Sequence, residues 1–150
     1  MKPGNLVATV LVGRPLDIVW KNWITPEDIK KWNIPFNNWC CPVVENEVKE
    51  GGRFFFRMET KDGREGFDHK GKYDEVIPLQ YIKYTQDDGR KSVIEFQQID
   101  RNTIVRESFE PEKLVPDEVQ QEFCQSVLQR FKTYVEEKDE IAEQISPDEH

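Results

Sequence analysis

The sequence predicts an α+β fold in which a seven-stranded antiparallel sheet curls around one long C-terminal helix. Residues 51–56, Gly-Gly-Arg-Phe-Phe-Phe, begin a strand whose alternate side chains Phe54, Phe56 and Met58 are large and apolar, which is typical of a sheet with one face in the core. Strand and turn patterns continue to about Phe109, and a single amphipathic helix follows. Since the apolar face of a sheet needs a second layer, we expect the helix to pack across it.

The segment before that sheet predicts one strand and two short helices. Residues 6–12 are mostly β-branched or aliphatic and stop at Gly13-Arg14-Pro15, which indicates a first strand. Thr25 and Pro26 provide the cap and first turn of a helix that leads to Trp32. The helix before it is predicted from apolar positions with helical spacing: Leu16, Val19, Trp20 and Trp23.

The remaining strands are predicted to follow one another as hairpins. Asp62-Gly63, Asp87-Asp88-Gly89 and Asp100-Arg101-Asn102 supply the tight turns. Strands joined in this way form an antiparallel meander, which can expose one face to water. The predicted strands cover residues 42–48, 53–60, 66–77, 79–85, 91–99 and 103–109.

A helix of about 20 residues is predicted after Pro116, because the apolar residues there return at helical spacing. Its stripe contains Val119, Phe123, Val127, Phe131, Tyr134 and Val135, with Cys124 and Leu128 beside them. We expect residues 1–138 to form a single domain and residues 139–150 to be a charged, frayed tail.

Composition narrows the classes of function. The length of 150 residues fits one globular domain. The net charge of −8 disfavours binding to the phosphate backbone of nucleic acid. Apolar runs long enough for a membrane span or a secretory signal are missing, so we expect a cytoplasmic protein. The three cysteines suggest reduced thiols, and neither the spacing of a metal site nor a phosphate-binding glycine loop is present. The sequence therefore predicts no metal and no cofactor.

Several short motifs in a fixed order resemble a known family. They are Val19-Trp20, Trp23, Thr25-Pro26-Glu27, Trp32, Gly51-Gly52-Arg53-Phe54, Gly71, Glu75-Val76-Ile77-Pro78, Ile82, Tyr84-Thr85, Thr103, Val105, Leu128, Phe131-Lys132 and Val135-Glu136. Their order is similar to that of the activator-of-heat-shock-protein-ATPase-homologue-like domains of the START, polyketide-cyclase and birch-pollen-allergen superfamily. The resemblance implies a helix-grip fold, often with an elongated apolar cavity between helix and sheet. The family often has Gly-Trp early in the last helix, where this chain has Phe123-Cys124.

The leading functional hypothesis is a non-enzymatic domain that binds a small apolar or aromatic molecule in such a cavity. The alternative is that the same side chains simply fill the core. Strand alternation, the helix stripe and the aromatic segment expected to form a lid predict the wall residues: Trp20, Trp23, Trp32, Phe36, Trp39, Phe54, Phe56, Met58, Phe67, Tyr84, Phe96, Phe109, Phe123, Cys124 and Val127. Gly71 is expected to open space among them.

A second hypothesis is a cyclase, dehydratase or hydrolase that uses His69. His69, Tyr73 and Glu75 share strand parity, and Glu107 is expected to face the same interior. An imidazole base, an orienting carboxylate and a phenol could together transfer protons. A β-bulge in this strand would change which side chains point inward, and a purely structural histidine is the simpler interpretation.

Two further hypotheses concern protein partners. The family name implies contact with a chaperone ATPase, although the chain shows no second chaperone-binding domain. Phe55 lies on the strand face opposite Phe54 and Phe56, and its exposure there would favour a homodimer.

Overall fold

The computed structural model describes residues 4–145, with side chains as far as residue 138. Seven strands form one antiparallel sheet in the order β1-β7-β6-β5-β4-β3-β2, which confirms the predicted fold class. The strands are β1 (Leu6–Val12), β2 (Trp39–Asn46), β3 (Arg53–Thr60), β4 (Gly66–Ile77), β5 (Tyr81–Gln86), β6 (Lys91–Ile99) and β7 (Asn102–Phe109), and the helices are α1 (Leu16–Ile24), α2 (Pro26–Trp32) and α3 (Asp117–Ile145). Across residues 4–145, no helix is long and apolar enough to cross a membrane.

Three elements differ from their predicted bounds by two residues or more. β2 begins at Trp39, before the predicted start, and its register with β3 shifts between Cys40 and Val43, where Pro42 has no N–H to donate to the ladder. β5 begins later than predicted because Leu79 adopts a left-handed conformation with φ 68° in the preceding turn. α3 has 29 residues and continues to Ile145, so the predicted helix was too short. The domain boundary at residue 138 stays a prediction, and the end of the predicted tail, residues 146–150, lies outside the described residues.

Side-chain amides attach the first half of α3 to the edge strand β1. The Gln125 amide donates to the carbonyl oxygen of Thr9 at 2.9 Å, and Gln121 donates to that of Val7. Further along the helix, the Glu136 carboxylate accepts a bond of 2.7 Å from the backbone N–H of Gly13. These bonds use backbone groups of an edge strand that would otherwise be open to another chain.

The middle of α3, from Leu128 to Val135, is anchored by close packing. Leu128, Phe131 and Val135 are each 0% exposed. Phe131 meets Trp23 and Trp32 edge to face, with ring centroids 5.0 and 4.8 Å apart, the geometry that aromatic pairs prefer. Trp20 and Phe96 complete this group, which we call the base aromatic cluster.

A buried polar network supports the same end of the molecule. Tyr134 of α3 donates to the Asp28 carboxylate at 2.6 Å, and Lys138 donates to the same oxygen at 2.7 Å. Lys138 also donates to the side chain of Asn22 in α1. Asp28 is thus hydrogen-bonded and ion-paired, as a buried carboxylate requires, and the three helices are held together at this end.

Replacing Phe131 with Ala is expected to destabilise the protein by about 3–5 kcal/mol, because the substitution leaves a cavity inside the base aromatic cluster. Urea unfolding followed by circular dichroism measures the change. Leu114→Ala is the control, because Leu114 is 90% exposed and a surface substitution should change the free energy by less than about 0.5 kcal/mol. Equal effects of the two substitutions would contradict the packing described here.

Candidate functional site

A cavity of about 570 Å³ lies between the first half of α3 and the sheet. It opens to solvent at the end opposite the base aromatic cluster, where the β5–β6 turn faces the segment that joins β7 to α3. Its walls are apolar toward α3 and polar toward the turn. The lining residues are Asn33, Met58, Phe67, Asp68, His69, Lys70, Tyr84, Gln86, Asp87, Asp88, Arg90, Ser92, Glu107, Phe109, Glu112, Val115, Val119, Gln120, Phe123, Cys124 and Val127.

A smaller cavity of about 70 Å³ lies deeper, next to the base aromatic cluster. Asn33, His69, Tyr84, Glu107 and Val127 line both cavities. These five residues therefore form the partition between an outer space that is open to solvent and an inner space surrounded by core side chains.

Four aromatic rings close one side of the larger cavity, and we call them the edge aromatic cluster: Phe36, Trp39, Phe67 and Phe123. The Phe123 ring of α3 lies 5.9 Å from that of Phe67 and 6.3 Å from that of Trp39, measured between centroids. Phe36 meets Phe123 edge to face at 6.2 Å. The cluster joins the helix to the strands β2 and β4 across the side that the sheet leaves open.

A short chain of polar groups lies on the partition. The Tyr84 hydroxyl donates to the Glu107 carboxylate at 3.3 Å, and Nε2 of His69 lies 3.5 Å from that hydroxyl. The Cys124 thiol donates to Glu107 from the helix side. We call His69, Tyr84, Glu107 and Cys124 the inner polar cluster.

Withdrawal from water shifts the pKa of each member of this cluster toward its uncharged form. Burial, followed by the positive charge of Arg90, lowers the pKa of His69 to about 4. Burial raises the pKa of Glu107, and hydrogen bonds from Cys124 and Tyr84 oppose that rise. Burial and the neighbouring Glu107 also raise the pKa of Tyr84 and of Cys124. At neutral pH the imidazole, the phenol and the thiol are therefore uncharged.

The mouth of the larger cavity is ordered by local contacts. Arg90 bonds Asp88 at 2.8 Å and Gln86 at 3.1 Å within the β5–β6 turn. On the opposite side, the Gln120 side chain accepts from the backbone N–H of Glu112 and donates to the carbonyl oxygen of Val115, both at 2.8 Å. The two sides of the mouth are thus fixed by their own hydrogen bonds.

The structure places most of the predicted wall residues around the two cavities. Met58, Phe67, Tyr84, Phe109, Phe123, Cys124 and Val127 line the larger one, and Trp23, Trp32, Phe54 and Phe56 line the smaller one. Phe36 and Trp39 contact Phe123 from outside, and Trp20 and Phe96 pack only in the core. The tryptophans of the predicted lid, Trp20, Trp23 and Trp32, lie instead at the closed base.

The prediction that Glu75 shares the interior with His69 is wrong. The β4–β5 register shifts between Tyr73 and Glu75, so a bulge reverses the facing of the residues beyond Tyr73. The Glu75 carboxylate accepts from the Tyr81 hydroxyl at 2.7 Å and pairs with Lys83 at 3.5 Å. His69 precedes the bulge and keeps its inward position.

Three other positional expectations are corrected. Tyr73 lines only the smaller cavity and donates its hydroxyl to Asn46, which separates it from the inner polar cluster. A Cβ on Gly71 would lie 2.3 Å from the carbonyl oxygen of Thr85, so this glycine permits a close approach of β5 and does not open space. Phe55 is half-buried, which removes the exposure on which its dimer role rested.

The family model described as Activator of Hsp90 ATPase homolog 1-like protein matches residues 14–136. The chain belongs to this family. An AHSA1-like protein of Aeromonas hydrophila is 29% identical with a TM-score of 0.81, covering 89% of this chain and 94% of that one. A protein of Cytophaga hutchinsonii is 39% identical with a TM-score of 0.78, covering 91% and 95%. No curated protein matches the chain.

A more distant solved structure shows the fold alone. It is a protein of Chromobacterium violaceum, 20% identical with a TM-score of 0.80, covering 90% of this AHSA1-like chain and 99% of that one. The family match and the two relatives above confirm the resemblance inferred from the sequence motifs. These relatives support the architecture of the chain and give no information about a ligand.

Sequence reasoning missed several polar residues of this AHSA1-like site. Gln86, Arg90 and Ser92 line the larger cavity, and all three share the parity of Tyr84 or Ile94, which the alternation argument already placed inside. Extending that alternation past the strand ends would have found them. Asn33 carries no comparable signal, because it follows α2 in a segment without periodicity.

His69 is expected to titrate with a midpoint near 4, well below the unperturbed value of about 6.5. Imidazole proton shifts in NMR spectra recorded from pH 3.5 to 8 measure it, and a His150→Ala variant assigns the signal. Because the folded-state value is lower, stability from neutral His69 is present above about pH 6.5 and is lost as the pH falls toward 4. A midpoint at 6 or higher would contradict the burial of the imidazole.

Proposed function

We propose that this protein binds a small, mostly apolar molecule in the larger cavity between α3 and the sheet. The observation that carries the proposal is the unequal packing of α3. The middle of the helix, from Leu128 to Val135, is sealed against the base aromatic cluster, whereas the turns before Leu128 stand over a space of about 570 Å³. Val119, at the start of the helix, is 52% exposed, unlike the fully buried residues further along.

The size and lining of this space support the proposal. Ligand pockets in proteins measure about 300–1,000 Å³ and combine apolar walls with a few placed polar groups. Here Phe67, Phe109, Phe123 and Val127 supply apolar wall, and the inner polar cluster supplies hydrogen-bonding groups at the far end. A chain that needed only a core would gain stability by filling the space, because unfilled volume costs contacts.

Titration with N-phenyl-1-naphthylamine, an uncharged probe that fluoresces in apolar surroundings, tests the proposal. We expect a saturable increase in emission that fits one site per chain. An increase that stays linear with probe concentration, or none at all, would contradict the proposal.

The variant Cys124→Trp is expected to weaken probe binding by at least about tenfold, since an indole at this position would occupy the space over which Cys124 stands. Gln129→Trp is the matched control, because Gln129 is exposed on the same helix and lines neither cavity. Circular dichroism should show the same helix content in both variants. Equal probe affinity in the two would place the probe outside this cavity.

A second candidate, acid–base catalysis on the bound molecule, is favoured by the position of the Tyr84 hydroxyl, which contacts His69 and donates to Glu107. A base with a pKa of about 4 is unprotonated at neutral pH but weak, which limits the proton transfers it could assist. If an activity exists, His69→Ala should abolish it. Turnover that survives this substitution would exclude the candidate.

The hypotheses of a homodimer and of a chaperone partner stay predictions. The family description mentions an ATPase activator, and no contact surface for such a partner follows from the described residues. Size-exclusion chromatography with light scattering, and a pull-down with a purified chaperone of the Hsp90 class, would test them separately.

A further inference from the structure

The chemistry of the larger cavity restricts the charge of its ligand, and this restriction rests on the function proposed above. The lining carries five carboxyl groups, Asp68, Asp87, Asp88, Glu107 and Glu112, and two cations, Lys70 and Arg90. Three of these acids are paired with arginines: Asp88 with Arg90, Asp87 with Arg53 and Asp68 with Arg57. No arginine of this group is therefore left unpaired for an anion that enters the mouth.

The inner end of the cavity offers an anion no free cation, because Arg90, whose charge reaches His69, is bonded to Asp88 and Gln86. The inner polar cluster contains one carboxyl group and three uncharged groups, and no described lysine or arginine forms an ion pair with Glu107. A carboxylate moved from water into such surroundings loses its hydration and gains no opposite charge, which is among the most costly events in a protein interior. The penalty remains if Glu107 binds a proton, because the desolvation of the ligand is unchanged.

Hydrogen-bonding capacity remains for an uncharged ligand. The Tyr84 hydroxyl has one proton, which it donates to Glu107. Toward His69 the same oxygen can therefore only accept a hydrogen bond. Glu107 accepts from Tyr84 and Cys124 and, with two oxygens, has room for a further donor. Ser92 is 2% exposed and lacks a hydrogen bond of normal geometry, although it lies near enough to Tyr84 to lower the pKa of that phenol.

We propose that the ligand is an uncharged molecule with an apolar ring body and a hydroxyl group, and that the hydroxyl donates to Glu107 at the inner end of the larger cavity. Phe67, Phe123 and Val127 contact the ring body, and an acid with the same body finds no unpaired arginine in the lining. Aromatic or alicyclic alcohols and phenols fit this description. Fatty acids, aromatic acids and phosphate esters do not.

Three compounds with one ring system separate the parts of this proposal: 2-naphthol, 2-methoxynaphthalene and 2-naphthoate. Each displaces N-phenyl-1-naphthylamine from the protein at pH 7, and the displacement gives its dissociation constant. We expect 2-naphthol to bind at least about tenfold more tightly than 2-naphthoate, which corresponds to about 1.4 kcal/mol. The ether, which lacks the donated proton, should fall between them. Naphthoate binding as tightly as naphthol would overturn the charge argument, and ether binding as tightly would overturn the donated bond.

The variant Glu107→Leu tests the acceptor. We expect the advantage of 2-naphthol over 2-methoxynaphthalene to disappear, because leucine has a similar volume and accepts no hydrogen bond. Glu75→Leu is the matched control, since that carboxylate faces away from both cavities, and it should leave the ratio unchanged. An unchanged ratio in Glu107→Leu would overturn the role of Glu107.

The two proposals fail in different ways. If N-phenyl-1-naphthylamine shows no saturable binding, the proposed function fails and the ligand class falls with it. If the probe binds with one site per chain but the three naphthalenes compete equally, the cavity binds ligands and only the inference about charge and hydroxyl recognition is wrong.

Discussion

The unequal attachment of α3 is the constraint on which the site depends. Between Leu128 and Val135 the helix is fixed by fully buried side chains against the tryptophans of α1 and α2. Before Leu128 the helix is held at the edge of the sheet, where the side chains of Gln121 and Gln125 form hydrogen bonds with the backbone of β1. Hydrogen bonds to an edge strand set the position of a helix without requiring side chains beneath it. The first half of α3 can therefore stand above the sheet, and the cavity is the volume left under it.

The apolar surroundings of the inner polar cluster set the chemistry at the inner end of that volume. His69 is surrounded by the rings of Phe54, Phe56 and Tyr84, and burial keeps the imidazole neutral. The same loss of solvent makes a carboxylate costly at Glu107, so that residue is supported by hydrogen bonds from both the sheet and the helix. Neutral hydrogen-bonding groups in apolar surroundings favour recognition of a polar but uncharged ligand group over catalysis that needs a strong base. The pairing of Arg53, Arg57 and Arg90 with acids of the protein acts in the same direction, because it leaves none of these arginines for an anionic ligand.

Most of the fold was predictable because its signals are local. Alternation in β3 and the turn residues at Gly63 and Gly89, both with positive φ, fixed the strands, and the stripe from Val119 to Val135 identified α3. The facing of Glu75 was not predictable, because the bulge beside it depends on the pairing of two strands. The base position of the tryptophans was not predictable either, since it depends on where α1 and α2 pack in three dimensions. Strand alternation could have identified Ser92 and Gln86 as interior residues. The contact of Tyr84 with His69, by contrast, is visible only in the three-dimensional structure.

The most direct test of this account is the location of a bound probe by NMR. Intermolecular nuclear Overhauser effects between N-phenyl-1-naphthylamine and methyl groups report which residues lie within about 5 Å of it. We expect Overhauser effects between the probe and the methyl groups of Val127 and Val115, which line the cavity. We expect none with Val43 or Leu11, which are exposed apolar residues outside it. Effects confined to Val43, Leu11 or other surface methyl groups would contradict the claim that the space under α3 is a binding site.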